Sequence, residues 1–328
     1  MKSLVIGYGS IGKRHIDNLS KIYNLEIIVC TKRKPDSFLK KRKCFVSKSL
    51  NECIEQNPDF AIITNETSLH CNTAIKLAQA KIHFICEKPL SNNLKNIDKL
   101  LDIVRKNKLK TLMGCNLRFY PPIKKIKQLL SNQIIGDVLS SIVENGSYLP
   151  DWHPEEDYSK SYASQKKLGG GVVLTSIHEL DYLYWFFGNA KEVFSFSKKQ
   201  SNLKTNVEDL SSQLIHFKKN MISEVHLDFF QKPDFRRCKI IGTNGLIYWD
   251  SNLNIVKVYS NKRKTWTKKL ISKKFDYNSM YVEELQYFIR CLKNNVDTFN
   301  PVSDGAVVLK IALAIKQSSK LNKVVKIK

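Results

Sequence analysis

The chain has no CxxC pair, no internal repeat, no low-complexity block and no apolar run approaching the roughly 18 residues a membrane helix needs. Its eight cysteines, Cys30, Cys44, Cys53, Cys71, Cys86, Cys115, Cys238 and Cys291, stand apart, which excludes a zinc site or disulfide frame and reads as reduced, mostly buried thiol. No leader precedes the first apolar run, so a cytoplasmic protein without a membrane partner is expected. Acidic residues are also scarce, 30 against 54 Lys and Arg, for a formal charge of +24. The excess is lysine spread through every segment, and no nucleic-acid-binding module accompanies it. We therefore read solvated basic faces and no nucleic-acid partner, with a field that attracts anionic cofactors or phosphorylated substrates.

What is present begins at the seventh residue. Leu4, Val5 and Ile6 form an apolar run, Gly7-Tyr8-Gly9-Ser10-Ile11-Gly12 follows, and Ile11, His15, Ile16 and Leu19 recur at helical spacing. In a strand, glycine turn, helix context the first glycine permits a tight turn, the second lets backbone approach a pyrophosphate, and the third lets helix pack on strand. Gly7, Gly9, Ser10, Ile11 and Gly12 are thus the expected diphosphate contacts, with free N–H groups at the helix N-terminus. The second strand, Leu25 to Cys30, ends in Thr31-Lys32-Arg33, where a ribose-reading acid is absent. Three groups able to meet a 2′-phosphate favour NADP over NAD.

Strands at 44–46, 60–64, 82–86 and 111–115 alternate with helices at 50–56, from Ser68 onward and at 94–105, which argues a parallel sheet. Ligands bind beyond the carboxyl ends of such strands, so Thr64, Asn65, Glu66, His70, Glu87, Lys88 and Asn116 join the expected cofactor site. Pro121-Pro122 breaks the pattern and marks a domain junction, giving residues 1–120 and 121–328. A helix at 123–130, a strand at 138–144, a long polar and aromatic segment from Ser147 to Leu168, and Gly169-Gly170-Gly171 feeding a helix through Phe187 follow. Six short strands between Val193 and Tyr259 without intervening helices then predict a largely antiparallel sheet, closed by helices at 280–292 and 303–319 and a strand at 324–327.

Lys88 lies at a strand end before a proline, placed to carry positive charge beside a reacting oxygen. His178, Asp181 and Tyr182 stand three and four apart on a helix and share a face, and a histidine with a carboxylate partner exchanges a proton near neutral pH.

The glycine turn with Arg14-His15 and Asn18-Leu19, then Glu87-Lys88-Pro89, Asn116 to Phe119, and Gly169-Gly170-Gly171 followed by His178-Glu179-Leu180-Asp181, together resemble the Gfo/Idh/MocA oxidoreductases over the whole length. The family is named for glucose-fructose oxidoreductase and inositol dehydrogenase. The resemblance implies an α/β protein: an N-terminal Rossmann doubly wound parallel sheet, and a C-terminal α/β domain whose large, open, mostly antiparallel sheet serves oligomerisation, here as a homo-oligomer. It implies hydride transfer between NAD or NADP and a secondary hydroxyl or ketone of a sugar, inositol or nucleotide-sugar. Lys88 would contact the reacting oxygen and the nicotinamide end, His178 would be the acid/base, Glu87 would line the cofactor site, and the Lys88-Pro89 bond is often cis in relatives. The segment from Tyr148 to Ser164 resembles a branch acting in surface-glycan or nucleotide-sugar metabolism. Arg118, Tyr148, Trp152, His153, Asp157, Tyr158 and Thr175 are the candidate substrate contacts beside Lys88 and His178. Relatives carry an acid three or four residues before the histidine, where this chain has Thr175 and Leu174. A proton relay then rests on Lys88, His178 and Asp181, and a nicotinamide-binding sensor without turnover stands as the alternative.

Overall fold

The structure, a computed structural model, describes residues 1–22, 25–218, 220–271 and 275–327. Along the first part run β1 (Lys2–Ile6), α1 (Ser10–Ile22), β2 (Glu26–Cys30), α2 (Ser37–Lys41), β3 (Phe45–Ser47), α3 (Leu50–Glu55), β4 (Phe60–Ile63), α4 (Thr67–Gln79), β5 (His83–Glu87), α5 (Ile97–Lys106) and β6 (Thr111–Gly114). The six strands are parallel, in the order β3-β2-β1-β4-β5-β6. This is the doubly wound Rossmann arrangement, with its order reversing between β1 and β4. All four residues of β4 are buried, because helices cover both faces; that is why the strand reads as an unbroken apolar run.

Local differences from expectation have local causes. Helix α2 lies in what reads as a basic stretch, and Asp36 starts it by accepting from the Leu39 N–H. Helix α4 begins at Thr67 with Glu66 as its N-cap, two residues ahead of the expected Ser68 cap. Helix α5 begins at Ile97 rather than Leu94, after Asn96 takes a left-handed conformation.

The chain continues through α6 (Pro121–Ser131), β7 (Val138–Gly146), α7 (Val172–Thr175), α8 (His178–Phe187), β8 (Ala190–Lys198), β9 (Leu210–Phe217), β10 (Ile222–Asp228), β11 (Phe235–Gly242), β12 (Gly245–Asp250), β13 (Ile255–Ser260) and β14 (Thr265–Ile271). It ends with α9 (Asn278–Lys293), α10 (Val302–Leu321) and β15 (Val325–Lys326). Nine strands form one sheet in the order β14-β13-β12-β11-β7-β10-β9-β8-β15. Its pairings are antiparallel except for the parallel pair of β10 with β7. Val143, Ile215, Val225, Ile240, Ile247 and Val256 are buried on one face, while Phe196, Leu214 and Ile222 of the other are exposed.

Pro121 and Pro122 open α6 instead of interrupting it, since proline suits a first helical turn whose N–H groups have no intrahelical acceptor. The helix expected from the triple glycine to Phe187 is two helices, α7 and α8, parted at Ser176 and Ile177. The segment after β7 is a series of short 3-10 turns over Leu149–Asp151, Tyr158–Lys160, Tyr162–Ser164 and Lys166–Leu168.

By compactness the chain divides into 1–116 with 277–306, and 117–276 with 307–328. Residues 277–306, assigned by sequence to the C-terminal domain, therefore belong with the first unit. The cause is the apolar stripe of α9: Leu285, Phe288 and Ile289 are buried in one core with Val5, Ile16, Leu19, Phe60 and Ile62. The rings of Phe60 and Phe288 meet edge to face at 5.9 Å, and burying a phenylalanine alone is worth roughly 1.5–3 kcal/mol.

Candidate functional site

In the first unit the glycine turn joins β1 to α1, and its three glycines meet different surroundings. Gly7 has φ +107°, and a Cβ there would lie 2.7 Å from Thr64 and Asn65 backbone. A Cβ on Gly12 would lie 2.3 Å from the Gly7 carbonyl oxygen. Gly9 is different, because a Cβ on it would meet nothing within 4 Å. The first and third glycines are thus demanded by the fold, whereas the second leaves open room over the start of α1. That is the cradle a diphosphate needs, and the donor set of Ser10, Ile11 and Gly12 at the N-terminus of the 13-residue α1 suits it.

Tyr8, between the first two glycines, is a feature that sequence reasoning missed. Its hydroxyl donates to Asp36 at 2.8 Å, tying the turn to the residues that follow β2. Burial, with the Asp36 carboxylate beside it, pushes the Tyr8 phenol well above its ordinary range. Thr31 is buried and its hydroxyl accepts from the Arg33 N–H, while Lys32 and Arg33 are exposed.

Thr64 and His70 are occupied within the protein. The Thr64 hydroxyl lies 3.0 Å from both the Ile6 and Gly7 carbonyl oxygens. His70 places Nδ1 2.7 Å from the Pro89 carbonyl oxygen and Nε2 2.8 Å from that of Asn65. A neutral imidazole donates to one of these and an imidazolium to both. Burial pulls the His70 pKa below its usual range, an effect partly offset by the two carbonyls. Glu66 and Asn116 stand at the ends of β4 and β6, Asn116 buried.

Lys88 follows β5 directly, and the Lys88–Pro89 peptide bond is cis. From Phe84 to Ser91 every residue is buried except Lys88. Glu87 turns inward: Oε1 meets His15 Nε2 at 2.9 Å and Oε2 accepts from the Lys88 N–H at 3.3 Å. A glycine faces it at 114, where a Cβ would stand 3.0 Å from the carboxylate.

In the second unit His178 opens α8, and from Gly170 to Leu183 it alone is not buried. The acids beside it have arginine partners. Glu179 lies 2.8 Å from Arg236 Nε, and Asp181 accepts from Arg118 Nε and Nη2 at 2.9 and 2.8 Å. Arg118 and Asp181, expected as substrate contact and histidine partner, thus engage each other, and both are buried. Thr175 is buried at the end of α7.

Candidates in the aromatic segment bond within their own unit. Trp152 donates to the Ser147 hydroxyl at 3.0 Å and meets Phe229 edge to face. Asp157 caps its own turn, accepting from Ser159, which holds its carboxyl below the ordinary range, and the Tyr158 hydroxyl accepts from the Lys204 N–H at 3.1 Å. The Lys232 ammonium sits 3.9 Å from the centre of the Tyr148 ring, and His153 is exposed.

A doubly wound sheet with a glycine turn at its switch point, followed by a unit built on a broad open sheet, is the arrangement of two-unit dinucleotide-binding oxidoreductases. This chain belongs to the Gfo/Idh/MocA family. Residues 1–115 match the family's NAD-binding Rossmann-fold model, and residues 123–248 match its C-terminal domain. A myo-inositol 2-dehydrogenase of Thermotoga maritima is 26% identical, covering 100% of this chain and 98% of that protein. Among solved structures, a levoglucosan dehydrogenase in complex with NADH and levoglucosan has a TM-score of 0.89 at 17% identity, covering 100% of this chain and 99% of that one, which speaks to fold. A probable dehydrogenase from Thermotoga maritima has a TM-score of 0.82 at 26% identity, with 100% and 99% covered. No helix among the described residues is long and apolar enough to cross a membrane.

Proposed function

We propose that this protein is an NAD(P)-dependent dehydrogenase that interconverts a secondary hydroxyl and a ketone on a sugar, inositol or nucleotide-sugar. The observation that carries the reading is Lys88: a cation at the carboxyl edge of the Rossmann sheet, reaching solvent from a run of otherwise buried residues. Beside an alcohol oxygen its ammonium stabilises the negative charge that grows as the O–H proton leaves, and in the reverse direction the charge that grows as hydride adds to the ketone carbon. When bound, the nicotinamide supplies the hydride acceptor or donor. His178, the solvent-reaching residue of its own buried run, is the proposed acid/base that takes the hydroxyl proton or returns it. Gly9 through Gly12 hold the diphosphate, and Lys32 and Arg33, with no acid among residues 31–34, favour the 2′-phosphate of NADP. The names of the relatives support a cyclic polyol or sugar substrate, and the aromatic segment supports a nucleotide-sugar in surface-glycan synthesis. The exposed face of the nine-stranded sheet is the proposed seat of a second copy of this chain.

The test is spectrophotometric. The purified protein is given NAD⁺ or NADP⁺ with myo-inositol, levoglucosan and a set of UDP-sugars, and formation of the reduced nucleotide is followed. Turnover is expected, with NADP⁺ the better oxidant. Lys88→Ala is expected to abolish turnover while dinucleotide affinity stays within about tenfold. Dinucleotide binding without turnover on any substrate would favour the sensor reading that Thr175 raises.

A further inference from the structure

The residues on either side of Lys88 are each held by a buried histidine from a different helix. Behind Lys88, His15 of α1 meets Glu87 Oε1 at 2.9 Å, and the other oxygen of that carboxylate accepts from the Lys88 N–H. Ahead of it, His70 of α4 places Nδ1 2.7 Å from the Pro89 carbonyl oxygen and Nε2 2.8 Å from that of Asn65 beyond β4. Both imidazoles are buried, His15 completely and His70 to within 2%. Neither ring is therefore placed to touch a ligand. What each ring fixes is the backbone from which the Lys88 side chain departs.

We propose that His15 and His70 are positioning residues that clamp the Glu87-Lys88-Pro89 turn, with His70 bonding Pro89 through Nδ1–H. The proposal rests on the role given to Lys88 above. A lysine on a flexible four-carbon stem acts on a reacting oxygen only as well as its Cα is placed, and a displacement of about 1 Å at such a site lowers rate by as much as 10²-fold. Glu284 of α9 adds a third wall on the His15 side. Its carboxylate, that of Glu87 and the His15 ring offer atoms that all lie within 4.8 Å of one another, all three residues buried. Removing the imidazole there would leave two buried carboxylates facing each other, so His15 also has a structural share. Conservative variants separate the two roles.

Asparagine carries an N–H close to the place of histidine Nδ1, and glutamine close to that of Nε2. His70→Asn keeps the bond to Pro89, whereas His70→Gln loses it. His15→Gln keeps the bond to Glu87, and His15→Leu loses it. Amide hydrogen exchange at Lys88 and Leu90 is read by mass spectrometry in the whole protein, with NADPH affinity and turnover measured on the same samples. Exchange at those amides is expected to quicken on the order of tenfold in His70→Gln and His15→Leu, and to stay near wild type in His70→Asn and His15→Gln. Where turnover is measurable, kcat falls in the first pair with NADPH affinity held within about threefold. Unchanged exchange in His70→Gln overturns the clamp, as does equal quickening in His70→Asn. A loss of NADPH affinity matching the loss of kcat would make His70 a cofactor ligand instead, and overturns it too. A stoichiometric divalent metal in the purified protein that is lost in His15→Leu overturns the His15 arm. If no substrate turns over, the dehydrogenase reading fails while the exchange result still judges the clamp.

Discussion

Arg118 and Asp181 form a buried, two-pronged ion pair across 63 residues of sequence, Nε to Oδ2 at 2.9 Å and Nη2 to Oδ1 at 2.8 Å. The guanidinium also lies 5.4 Å from the centre of the Trp185 ring. One charge left behind in that space has no solvent to relax into. Asp181→Leu or Arg118→Met is therefore expected to destabilise the second unit by about 3–5 kcal/mol in denaturant titration, and the double variant to recover most of that. Additive losses would mean that the pair does not act as a unit.

Gly9 and Gly12 separate ligand from fold. Gly12→Ala drives a Cβ to 2.3 Å from the Gly7 carbonyl oxygen, so about 1–3 kcal/mol of stability is expected to go. Gly9→Ala meets open space, so its melting temperature is expected to stay at the wild-type value. Its NADPH affinity is expected to fall on the order of tenfold by titration calorimetry, about 1.4 kcal/mol. Undiminished affinity in Gly9→Ala would remove the diphosphate from that cradle.

Stability is expected to fall as pH drops below 6.5, for a reason lying in two histidines of the first unit. Burial lowers the pKa of His70, and burial with the Lys110 charge lowers that of His83, whose Nδ1 accepts from the Lys110 N–H at 3.0 Å. Both begin from an ordinary value of 6.5. As pH falls through that value the unfolded chain takes up protons that the folded rings refuse, so stability is whole above 6.5 and drains as pH approaches the folded pKa values. Thermal melts from pH 7.5 to 5 are expected to slope downward, and less steeply in a His70→Asn, His83→Gln variant. An equal slope in that variant would place the pH dependence elsewhere.

Phe196, Leu214 and Ile222 are 58%, 47% and 48% exposed, an apolar content that a sheet face facing only water rarely carries. Phe196→Asp with Leu214→Asp is expected to convert an oligomer to a monomer in sedimentation velocity, with the circular dichroism unchanged. A monomeric wild type at micromolar concentration would count against the sheet as an interface.

The sequence by itself determined most of the helices and strands, because each rests on a local pattern. The glycine turn, the apolar runs of the parallel sheet and the alternation of most strands after Val193 follow from spacing and side-chain size. The position of Lys88 directly after a strand was legible for the same reason, as a charged residue at the end of an apolar run. Strand β14, with its sequence TWTKKLI, was not, since its two adjacent lysines hide the alternation and pairing with β13 is what makes it a strand. Tertiary structure alone decided which elements meet. The stripe of α9 states that the helix needs a partner, but only the packing of Phe288 against Phe60 selects the first unit. Likewise the i, i+3 spacing of His178 and Asp181 is local, whereas the arginine that engages Asp181 comes from a distant turn brought close by folding. Periodicity is a property of neighbours along the chain, and charge pairing and burial are properties of neighbours in space.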